Sequence, residues 1–432
     1  MLSTFSGLPR TAWIIFAGTV INRLGYMVTP FLVFYLGARG VPTAQVAYVL
    51  GALGAGNLIG PVLGGLAADR AGRRPTMLIG LIGTAVAQGL LFAAPNVPTL
   101  AAAAVLLSAT ATMVSPAAGA MMTDAVAAER RRAAFSLFHW AINIGTAVAG
   151  VLGGFLAAHG YWLLFALDSG TCLAFALVVA VLLPGGRGES APRTPADAPT
   201  GYAVVWRDPL MRVLLPLFGV ALVIYSLTEV CLPLAIRDHG LSTTTLGTMA
   251  TLNAVLVVVL QPIATNVLAR FRQVPVYVVA SMLVALGVSL TGLAHDTWSF
   301  AGSVVVWSIG EAATGGLPGA IVANLAPASA RGRYQGSYQW IWGVARFIAL
   351  AVGTAVYAAE GPAAVWWFSL VAGISAAAGV GALSPLISRR MAHPAGSAAQ
   401  VTDTDSPRAG ATARIRRVRG RIGGAPAPRT SR

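Results

Sequence analysis

Residues 64–75 read Gly64-Gly65-Leu66-Ala67-Ala68-Asp69-Arg70-Ala71-Gly72-Arg73-Arg74-Pro75 and lie between two long apolar segments, 42–66 and 75–94. A turn between two membrane helices needs few residues, yet this stretch holds one carboxylate, three arginines and three glycines. Glycines let helix ends approach closely, and an acid beside a helix N-terminus is stabilised by the helix dipole and neighbouring arginines. The stretch therefore predicts a structured contact at the end of a helical hairpin. The simpler alternative is a positively charged cytoplasmic loop.

The composition is that of a polytopic membrane protein, because 56% of the residues are hydrophobic and only 10% are charged. A helix crosses a bilayer in about 20 apolar residues, and the chain supplies about twelve such segments. Segments of this length, rich in Gly and Ala, exclude a β-barrel, whose strands would alternate over ~10 residues. The predicted segments are 12–37, 42–66, 75–94, 98–122, 133–158, 161–183, 209–236, 242–269, 275–294, 297–325, 333–358 and 361–387.

The arginines alternate between loops. All 29 basic residues are Arg, which we interpret as genomic base bias, and only Arg39 and Arg237 fall in loops on the arginine-poor side. The net charge of +15 does not indicate a nucleic-acid partner, because ten arginines lie in the tail 388–432 and most others in alternate loops. The positive-inside rule predicts that both termini are cytoplasmic. The loops on the arginine-rich side contribute Arg10, Arg70, Arg73, Arg74, Arg130, Arg131, Arg132, Arg187, Arg193, Arg207, Arg270, Arg272, Arg331, Arg333, Arg389 and Arg390.

An internal repeat and a polar stretch divide the apolar segments into six and six. Residues 185–208 contain three prolines and read as a flexible cytoplasmic linker. The predicted domains are a bundle at 1–184, a second bundle at 209–388, and a disordered basic cytoplasmic tail at 389–432. At an offset of 200, the repeat pairs Gly119 with Gly319, Arg131 with Arg331, Trp140 with Trp340 and Gly153 with Gly353.

Enzymatic chemistry has no counterpart in the sequence. The two cysteines, Cys172 and Cys231, lie in apolar segments without metal-ligand spacing. The loops contain no nucleotide-binding motif, metal cluster or nucleophile–base set. We therefore expect neither an enzyme nor a cofactor or metal. No cleavable signal peptide is expected, because the first apolar stretch is too long.

The stretch 64–75 resembles the loop between helices 2 and 3 of the major facilitator superfamily (MFS) of secondary transporters, whose pattern is roughly G-x-L-A-D-R-x-G-R-R. Ala67 stands where Leu is usual. The resemblance implies an all-α membrane protein with twelve transmembrane helices in two six-helix pseudo-repeats. It also implies that this loop ties the two halves together on the cytoplasmic side and stabilises an outward-facing state. The matching residues are Gly65, Asp69, Arg70, Gly72, Arg73 and Arg74.

Residues 143–154 are similar to the helix 5 pattern of MFS antiporters, G-x-x-x-G-P-x-x-G-G. Gly145, Gly153 and Gly154 match, whereas Ala149 replaces a Gly and Gly150 replaces the Pro. The resemblance implies export by proton exchange, although generic small-residue packing explains the glycines as well. Asn143 and His139 nearby are candidates for a proton path or a gate, with a structural hydrogen bond as the alternative.

Ionisable residues inside the apolar segments are costly and are therefore candidate functional groups. The proton-coupling candidates are Glu311, Glu229 and Asp168, ranked in that order because Glu311 lies deepest and the family's helix 6, which holds Asp168, is peripheral. Arg23 and Arg346 are the candidate buried counter-charges, with Arg346 expected to pair with Glu311. A static pair that fixes helix packing is the alternative.

Two runs are similar to bacterial drug:proton antiporters of this superfamily, Asn22-Arg23-Leu24-Gly25 and the stretch from Gly310-Glu311 to Gly336. The resemblance implies export of a hydrophobic or amphiphilic molecule, a drug or secondary metabolite, in exchange for protons. Import of a nutrient with protons remains open, as does a membrane scaffold or sensor without transport. We expect a monomer in a bacterial cytoplasmic membrane. The candidates for lining a substrate cavity, with helix packing as the alternative, are Tyr26, Trp140, Trp307 and Trp340.

Overall fold

The computed structural model describes residues 5–184, 201–241 and 243–392, which form a bundle of helices. We call α1–α7 the N-terminal half and α9–α16 the C-terminal half. The first set of helices is α1 (Arg10–Leu24), α2 (Val28–Ala38), α3 (Thr43–Arg70), α4 (Arg73–Ala93), α5 (Val97–Ala125), α6 (Arg131–His159) and α7 (Tyr161–Leu182). The second set is α8 (Ala203–Trp206), α9 (Pro209–Asp238), α10 (Thr243–Val267), α11 (Gln273–Leu290), α12 (Thr297–Thr314), α13 (Leu317–Leu325), α14 (Arg331–Ile348), α15 (Thr354–Ala359), α16 (Pro362–Ala382) and α17 (Ser384–Ala392).

Ten helical segments in the described residues are long and apolar enough to cross a membrane. They correspond to ten of the twelve segments predicted from the sequence. The other two are the segment 133–158, which forms the 29-residue helix α6, and the segment 12–37. The chain is therefore a multi-pass, all-helical membrane protein, while the number of twelve spans remains a prediction.

The prediction of one continuous helix over 12–37 was wrong, because the chain breaks between α1 and α2. Gly25 caps α1, and a Cβ on it would lie 2.0 Å from the hydroxyl oxygen of Thr171 in α7. The carboxylate of buried Asp168 accepts a hydrogen bond from the N–H of Val28 at 3.4 Å, the first residue of α2. A helix start leaves such N–H groups without a partner. Asp168 thus accepts a hydrogen bond from one of the backbone N–H groups that the break leaves without a partner in the helix.

The predicted segment 297–325 is also divided, between α12 and α13. Gly316 has φ = +75°, a left-handed conformation that side chains other than glycine rarely adopt. A Cβ on Gly316 would lie 2.3 Å from the carbonyl carbon of Phe135 in α6. The break therefore allows a helix of the N-terminal half to pack directly on the backbone of the C-terminal half.

Parts of the predicted linker and tail are ordered. Residues 185–200 and 393–432 lie outside the described residues, but 201–208 contains α8, and α17 extends the structured chain to residue 392. Val205 and Ile387 are fully buried, so apolar side chains dock these segments on the bundle. The predictions of a flexible linker up to residue 208 and a disordered tail from residue 389 were therefore too wide.

The hydrophobic core has four clusters, two at each end of the bundle. The cluster around Met77 and Leu81 of α4 also includes Ala320 and Ala323 of α13, so it joins the two halves. At the other end of the bundle, the described members of one cluster come from α1–α7 and its neighbouring turns, and those of the other from α9–α16. The core thus crosses between the halves at one end.

Asp208 connects α9, α14 and α17. Its carboxylate caps α9, accepts the hydroxyl of Tyr334 at 2.7 Å, and accepts Arg390 of α17 at 2.8 Å. Burial by itself would raise the pKa of Asp208, but the hydrogen bonds from Arg390 and Tyr334 outweigh burial, so the pKa lies below its usual value. The charged contact between Arg390 and Asp208 therefore holds α17 on the bundle.

We expect Arg390→Gln to lower the thermal midpoint, with a loss of about 1–3 kcal/mol, because a nearly buried carboxylate loses a charged donor. A depressed carboxyl pKa adds stability that is fully present above the unfolded value of about 3.9 and is lost as the pH falls through the folded value. The difference between wild type and variant should therefore be full at pH 7 and shrink below about pH 4. Thermal unfolding in detergent measures it, with exposed Arg389→Gln as the control; an equal loss in that control would contradict the assignment.

Candidate functional site

Asp69 joins the two halves of the bundle at the end of α3. Its side chain is only 2% exposed, and its two oxygens accept the backbone N–H groups of Gly332 (2.9 Å) and Arg333 (3.0 Å) at the start of α14. The guanidinium of Arg333 also donates to this carboxylate at 2.9 Å. Because a helix N-terminus favours negative charge, the same acid satisfies both the helix and the arginine. We call this end of the bundle, with the loop 69–75 and the starts of α6 and α14, the arginine-rich end.

Glycines let α3 and α14 approach until their backbones touch. A Cβ on Gly65 would lie 2.7 Å from the carbonyl oxygen of Gly332, and a Cβ on Gly336 would lie 2.7 Å from that of Pro61. Both would also meet the hydroxyl of Tyr202, which donates to a carbonyl of α3 at 2.8 Å. Small residues permit such close helix crossings in membranes. The contact of Asp69 with α14 depends on this approach.

The arginines of the loop brace the N-terminal half and have no described contact with the other half. Arg73 donates to Asp124 at 3.0 Å and lies 3.7 Å from Asp69. Arg74 donates to a backbone carbonyl of α7, and Arg70 is exposed. The acid of the loop thus reaches across the interface, and the arginine that meets it comes from α14. Gly72 makes the turn between α3 and α4 with φ = +107°.

Two further pairs cross between the halves at the arginine-rich end. Arg131 donates to Asn324 at 3.0 Å, and Arg331 donates to Asp124. Arg131 and Arg331 are 200 residues apart in the sequence, and so are their partners. The partner is the amide of Asn324 in one pair and the carboxylate of Asp124 in the other. Arg132 donates to two carbonyls near the end of α10, at 2.7 and 3.1 Å. Charged and polar groups thus close this end on both sides of the interface.

A second layer, one to three turns into α6, also joins the halves. Gln261 of α10 donates to the carbonyl of Ser136 at 2.8 Å, and its side-chain oxygen lies 3.1 Å from Nδ1 of His139. The indole N–H of Trp140 donates to a carbonyl of α10 at 2.9 Å. Asn143 donates to the carbonyl of His139 at 3.0 Å. Beyond this layer, toward the opposite end, the described core residues form a separate cluster in each half.

Glu311 lies in α12, one turn before the break at Gly315. It is 4% exposed, and its carboxylate accepts the hydroxyl of Tyr225 at 3.0 Å and the side-chain N–H of Asn253 at 2.9 Å. The ring of Tyr225 makes edge-to-face contacts with Trp307 and Trp342, with centroids 6.2 and 5.7 Å apart. Glu311 is therefore a carboxylate enclosed by neutral hydrogen-bond donors behind an aromatic layer.

The structure pairs Arg346 with Glu229 instead of Glu311. The guanidinium of Arg346 lies 2.5 Å from the carboxylate of Glu229 of α9, and the side chains are 60% and 41% exposed. The predicted pair with Glu311 was wrong, because Glu311 is recessed behind Tyr225. The ion pair is exposed, on the side of α14 that packs on α3 through Gly343, and we call the region around the pair the open space between the halves.

Asp168 and Arg23 serve the N-terminal half. Asp168 meets the start of α2, and Cys172 lies between it and the side chain of Asn22, which donates to the sulfur at 3.2 Å. Arg23 is half-buried, and its guanidinium carbon lies 5.0 Å from the ring centre of Tyr26. In the described residues it has no ion pair, so its predicted role as a buried counter-charge has no matching contact.

The glycines of the predicted helix 5 pattern pack α6 against α1 and α2. A Cβ on Gly145 would lie 2.3 Å from Cβ of Arg23, and one on Gly153 would lie 2.6 Å from the ring of Phe31. Gly150 and Gly154 belong to α6 as well, but their surroundings lie outside what is described. The two glycines with described contacts thus make helix-packing contacts within the N-terminal half.

Three of the four predicted cavity aromatics are packing residues. Trp140 stacks on Phe16 with ring centres 5.7 Å apart, Trp307 is 5% exposed, and Trp340 lies edge-to-face with Trp206 of α8. Tyr26 is half-buried, with the guanidinium of Arg23 over its ring.

Sequence reasoning missed several polar partners, namely Tyr225, Asn253, Gln261 and Asn324. Isolated amides in apolar segments were a signal for Asn253 and Gln261. The offset of 200 was a signal for Asn324, which repeats Asp124. Nothing in the sequence marked Tyr225, because a tyrosine in an apolar segment is usually a packing residue.

We expect Asp69→Asn to open the arginine-rich end, because it leaves Arg333 buried without a counter-charge, at a cost of about 3–5 kcal/mol. Ser136, 1% exposed in the second layer, reports the opening when it is replaced by Cys in a background without Cys172 and Cys231. Labelling of that cysteine by a hydrophilic maleimide should accelerate by at least about tenfold. Arg70→Gln, at an exposed position of the same loop, is the control. Unchanged labelling in Asp69→Asn would show that this carboxylate does not hold the end closed.

Comparisons with known proteins agree with this architecture. The family model described as Major Facilitator Superfamily matches residues 15–235 and 225–422. The uncharacterized MFS-type transporter YqjV of Bacillus subtilis is 24% identical, over 76% of this chain and 81% of its own length. A Na(+), Li(+), K(+)/H(+) antiporter of Planococcus maritimus is also 24% identical, over 76% of this chain and 85% of its own length.

Solved structures show the same fold at low sequence identity. The human organic anion transporter MFSD10 (TETRAN) is 17% identical, with a TM-score of 0.72 over 86% of this chain and 100% of that chain. A bacterial homologue of the iron transporter ferroportin in an outward-facing state is 18% identical, with a TM-score of 0.72 over 87% of this chain and 100% of that chain. Since the family model covers more than half of the residues, the chain belongs to the Major Facilitator Superfamily, whose members transport small molecules across membranes.

Proposed function

We propose that the protein is a proton-coupled secondary transporter that works by alternating access, with Glu311 as the carboxylate that carries the proton. The observation that carries the proposal is the position of Glu311. It is enclosed beside Tyr225 and Asn253, one turn from the break where α6 meets Gly316. A carboxylate at such a boundary is exposed to different surroundings when the halves move.

The chemistry around Glu311 suits reversible protonation. Burial disfavours a charged carboxylate, whereas hydrogen bonds from Tyr225 and Asn253 favour it. With these two effects opposed, a modest change in the surroundings is enough to take up or release a proton. Across the interface, the ring of His139 is hydrogen-bonded to Gln261 and Asn143. These groups provide a proton path between the halves.

The orientation of the protein follows from the distribution of its arginines. The positive-inside rule assigns the arginine-rich end and both termini to the cytoplasm of a bacterial cell. Closure at that end and separate cores at the other then correspond to an outward-facing state. Asp69 on the start of α14 is the contact that must break before the transporter opens inward.

Two pseudo-repeats account for the matched placement of elements. Helices α3, α4, α5 and α6 begin at residues 43, 73, 97 and 131, and α10, α11, α12 and α14 begin at 243, 273, 297 and 331. Capping boxes at Asn96–Thr99 and Asp296–Ser299 repeat at the same offset. Such repeats allow the two halves to rock against each other around a central site. We therefore infer twelve spans, with α1–α2 and α6 as the two beyond the ten apolar segments.

For direction and substrate, we propose export of a hydrophobic or amphiphilic small molecule in exchange for protons. Sequence similarity to a relative named as a cation/H(+) antiporter favours exchange over symport. Import of a nutrient is the alternative, because Gly150 replaces the proline of the antiporter helix 5 pattern. A scaffold without transport gives no account of Glu311 and the open ion pair, which are costly inside a membrane. Glu229 is the second candidate for coupling, and the contacts of Asp168 favour a structural role.

We expect Glu311→Gln to abolish substrate-dependent proton movement, since the amide cannot carry the proton. Purified protein in proteoliposomes with a trapped pH dye is tested with lipophilic cations, anionic and neutral amphiphiles, and sugars. A compound that drives proton movement in wild type should give the signal of empty liposomes in the variant.

Glu360→Gln provides the matched control, because this exposed glutamate lies at the far end of α15. It should couple as wild type does. If Glu311→Gln also couples as wild type does, Glu311 is structural and the coupling role passes to Glu229. If wild-type protein accumulates substrate along an inward proton gradient, the importer replaces the exporter.

A further inference from the structure

We propose that the open space between the halves binds the anionic head group of an amphiphilic substrate at Arg346, and that Glu229 is the group this anion displaces. The proposal rests on the proposed transport function and gives the charge of the molecule transported. It follows from the difference between this ion pair and the pair of Arg333 and Asp69, from the orientation of α14, and from the balance of charge in the open space.

The ion pair of Arg346 and Glu229 is exposed enough for its two side chains to separate at little cost. Its side chains are 60% and 41% exposed, whereas those of Arg333 and Asp69 at the arginine-rich end are 5% and 2% exposed. An exposed ion pair contributes little stability, since water competes for both charges. A ligand anion that takes the place of Glu229 therefore loses little by separating the pair.

Arg346 faces the interior of the bundle. Gly343, three residues earlier in α14, would place a Cβ 3.2 Å from the carbonyl of Asn57 in α3. Trp342, four residues earlier, contacts Tyr225. Residues three and four apart share a helix face, so Arg346 lies on the side of α14 that faces α3 and α9. Its exposure is therefore to the space between the halves, and a charge facing lipid would be costly.

The charge balance of this space favours an anion. Arg23 is half-buried over the ring of Tyr26 and has no ion pair in the described part of the chain. Of the nearby acids, Glu311 and Asp168 are only 4% and 5% exposed and are held by their own donors, so Glu229 is the accessible one. The accessible charges are therefore Arg346, half-buried Arg23 and Glu229, a balance that favours an anion over a cation.

Arginine and its neighbours also fit the chemistry of such a ligand. A guanidinium binds a carboxylate or sulfonate through two parallel hydrogen bonds, which gives it an advantage over a monodentate partner. The rings of Trp342, Tyr225 and Tyr26 offer a planar apolar surface near the charged group. An aromatic or hydrophobic organic anion matches both features.

Three naphthalene probes of equal size test the assignment, 2-naphthoate, 2-naphthylmethylammonium and 2-naphthalenemethanol. Their affinity for the purified full-length protein in detergent at pH 7 is measured by ligand-induced thermal stabilisation. We expect naphthoate to bind wild type best of the three. Arg346→Gln should weaken naphthoate by at least about tenfold, and Glu229→Gln should strengthen it by a similar factor, because Arg346 then lacks a competing carboxylate.

Arg39→Gln is the matched control, since Arg39 lies at the same end of the bundle but bonds to Tyr35 and a carbonyl of α4. It should leave naphthoate binding unchanged. Arg346→Lys keeps the charge without the paired donors and should bind naphthoate with intermediate affinity, which separates loss of the site from loss of the fold. The proposal is overturned if naphthoate does not bind wild type, if Arg346→Gln binds it equally well, or if the ammonium probe binds best and is lost in Glu229→Gln.

This test does not depend on the proposed coupling. Binding in detergent requires no proton gradient, so naphthoate binding with the expected pattern in a protein that moves no protons would overturn the transport mechanism and leave the anion site. Proton movement driven by a cationic compound, together with no naphthoate binding, would overturn the anion site and leave the mechanism.

Discussion

The carboxylate of Asp69 on the first N–H groups of α14 is the contact on which the observed arrangement depends. It lies at the far end of a 28-residue helix and meets the other half of the chain where that half offers a helix dipole and an arginine together. Glycines on both helices are required for it, because any Cβ at Gly65 or Gly336 would separate the backbones. A buried pair of this kind is a poor source of net stability but is costly to disrupt from one side. It therefore suits a contact that must be either made completely or broken completely.

The rest of the bundle is arranged in layers behind that contact. Paired arginines close the same end, the amide of Gln261 and the ring of His139 form the next layer, and Glu311 lies behind it. Farther along, the halves have separate cores and the ion pair of Arg346 and Glu229 is open to solvent. The ion pair of Asp69 and Arg333 at the closed end is thus buried, whereas the pair of Arg346 and Glu229 is exposed. In the proposed mechanism, the buried charges act as the gate and the exposed charges meet the substrate.

Much of this fold could be predicted from the sequence, because its strongest signals are local. The length of the apolar segments predicted the helices, and the stretch 64–75 predicted a contact at Asp69. The alternation of arginines between loops predicted that most of them share one end of the bundle. The partner of Asp69 could not be predicted, since Arg333 is 264 residues away and its approach depends on the packing of glycines. The breaks at Gly25 and Gly316 were missed because glycine is common in membrane helices and breaks them only where another helix occupies the space.

The pairing of the charged side chains inside the bundle could not be predicted from the sequence either. Depth along a helix identified Glu311 and Arg346, but depth does not give rotation about the helix axis, so the expected pair between them was wrong. Tyr225 separates Glu311 from the open space, and Arg346 reaches Glu229 instead.

Distances between spin labels at both ends of the bundle would show alternating access. One pair of labels replaces exposed Arg70 and Arg272 at the arginine-rich end, and a second pair replaces exposed Trp162 and Glu360 at the opposite end. Double electron–electron resonance is recorded at high and low pH. We expect the first distance to lengthen and the second to shorten as Glu311 takes up a proton, and we expect both changes to be lost in Glu311→Gln. Distances that stay fixed, or that change together in the same direction, would contradict it.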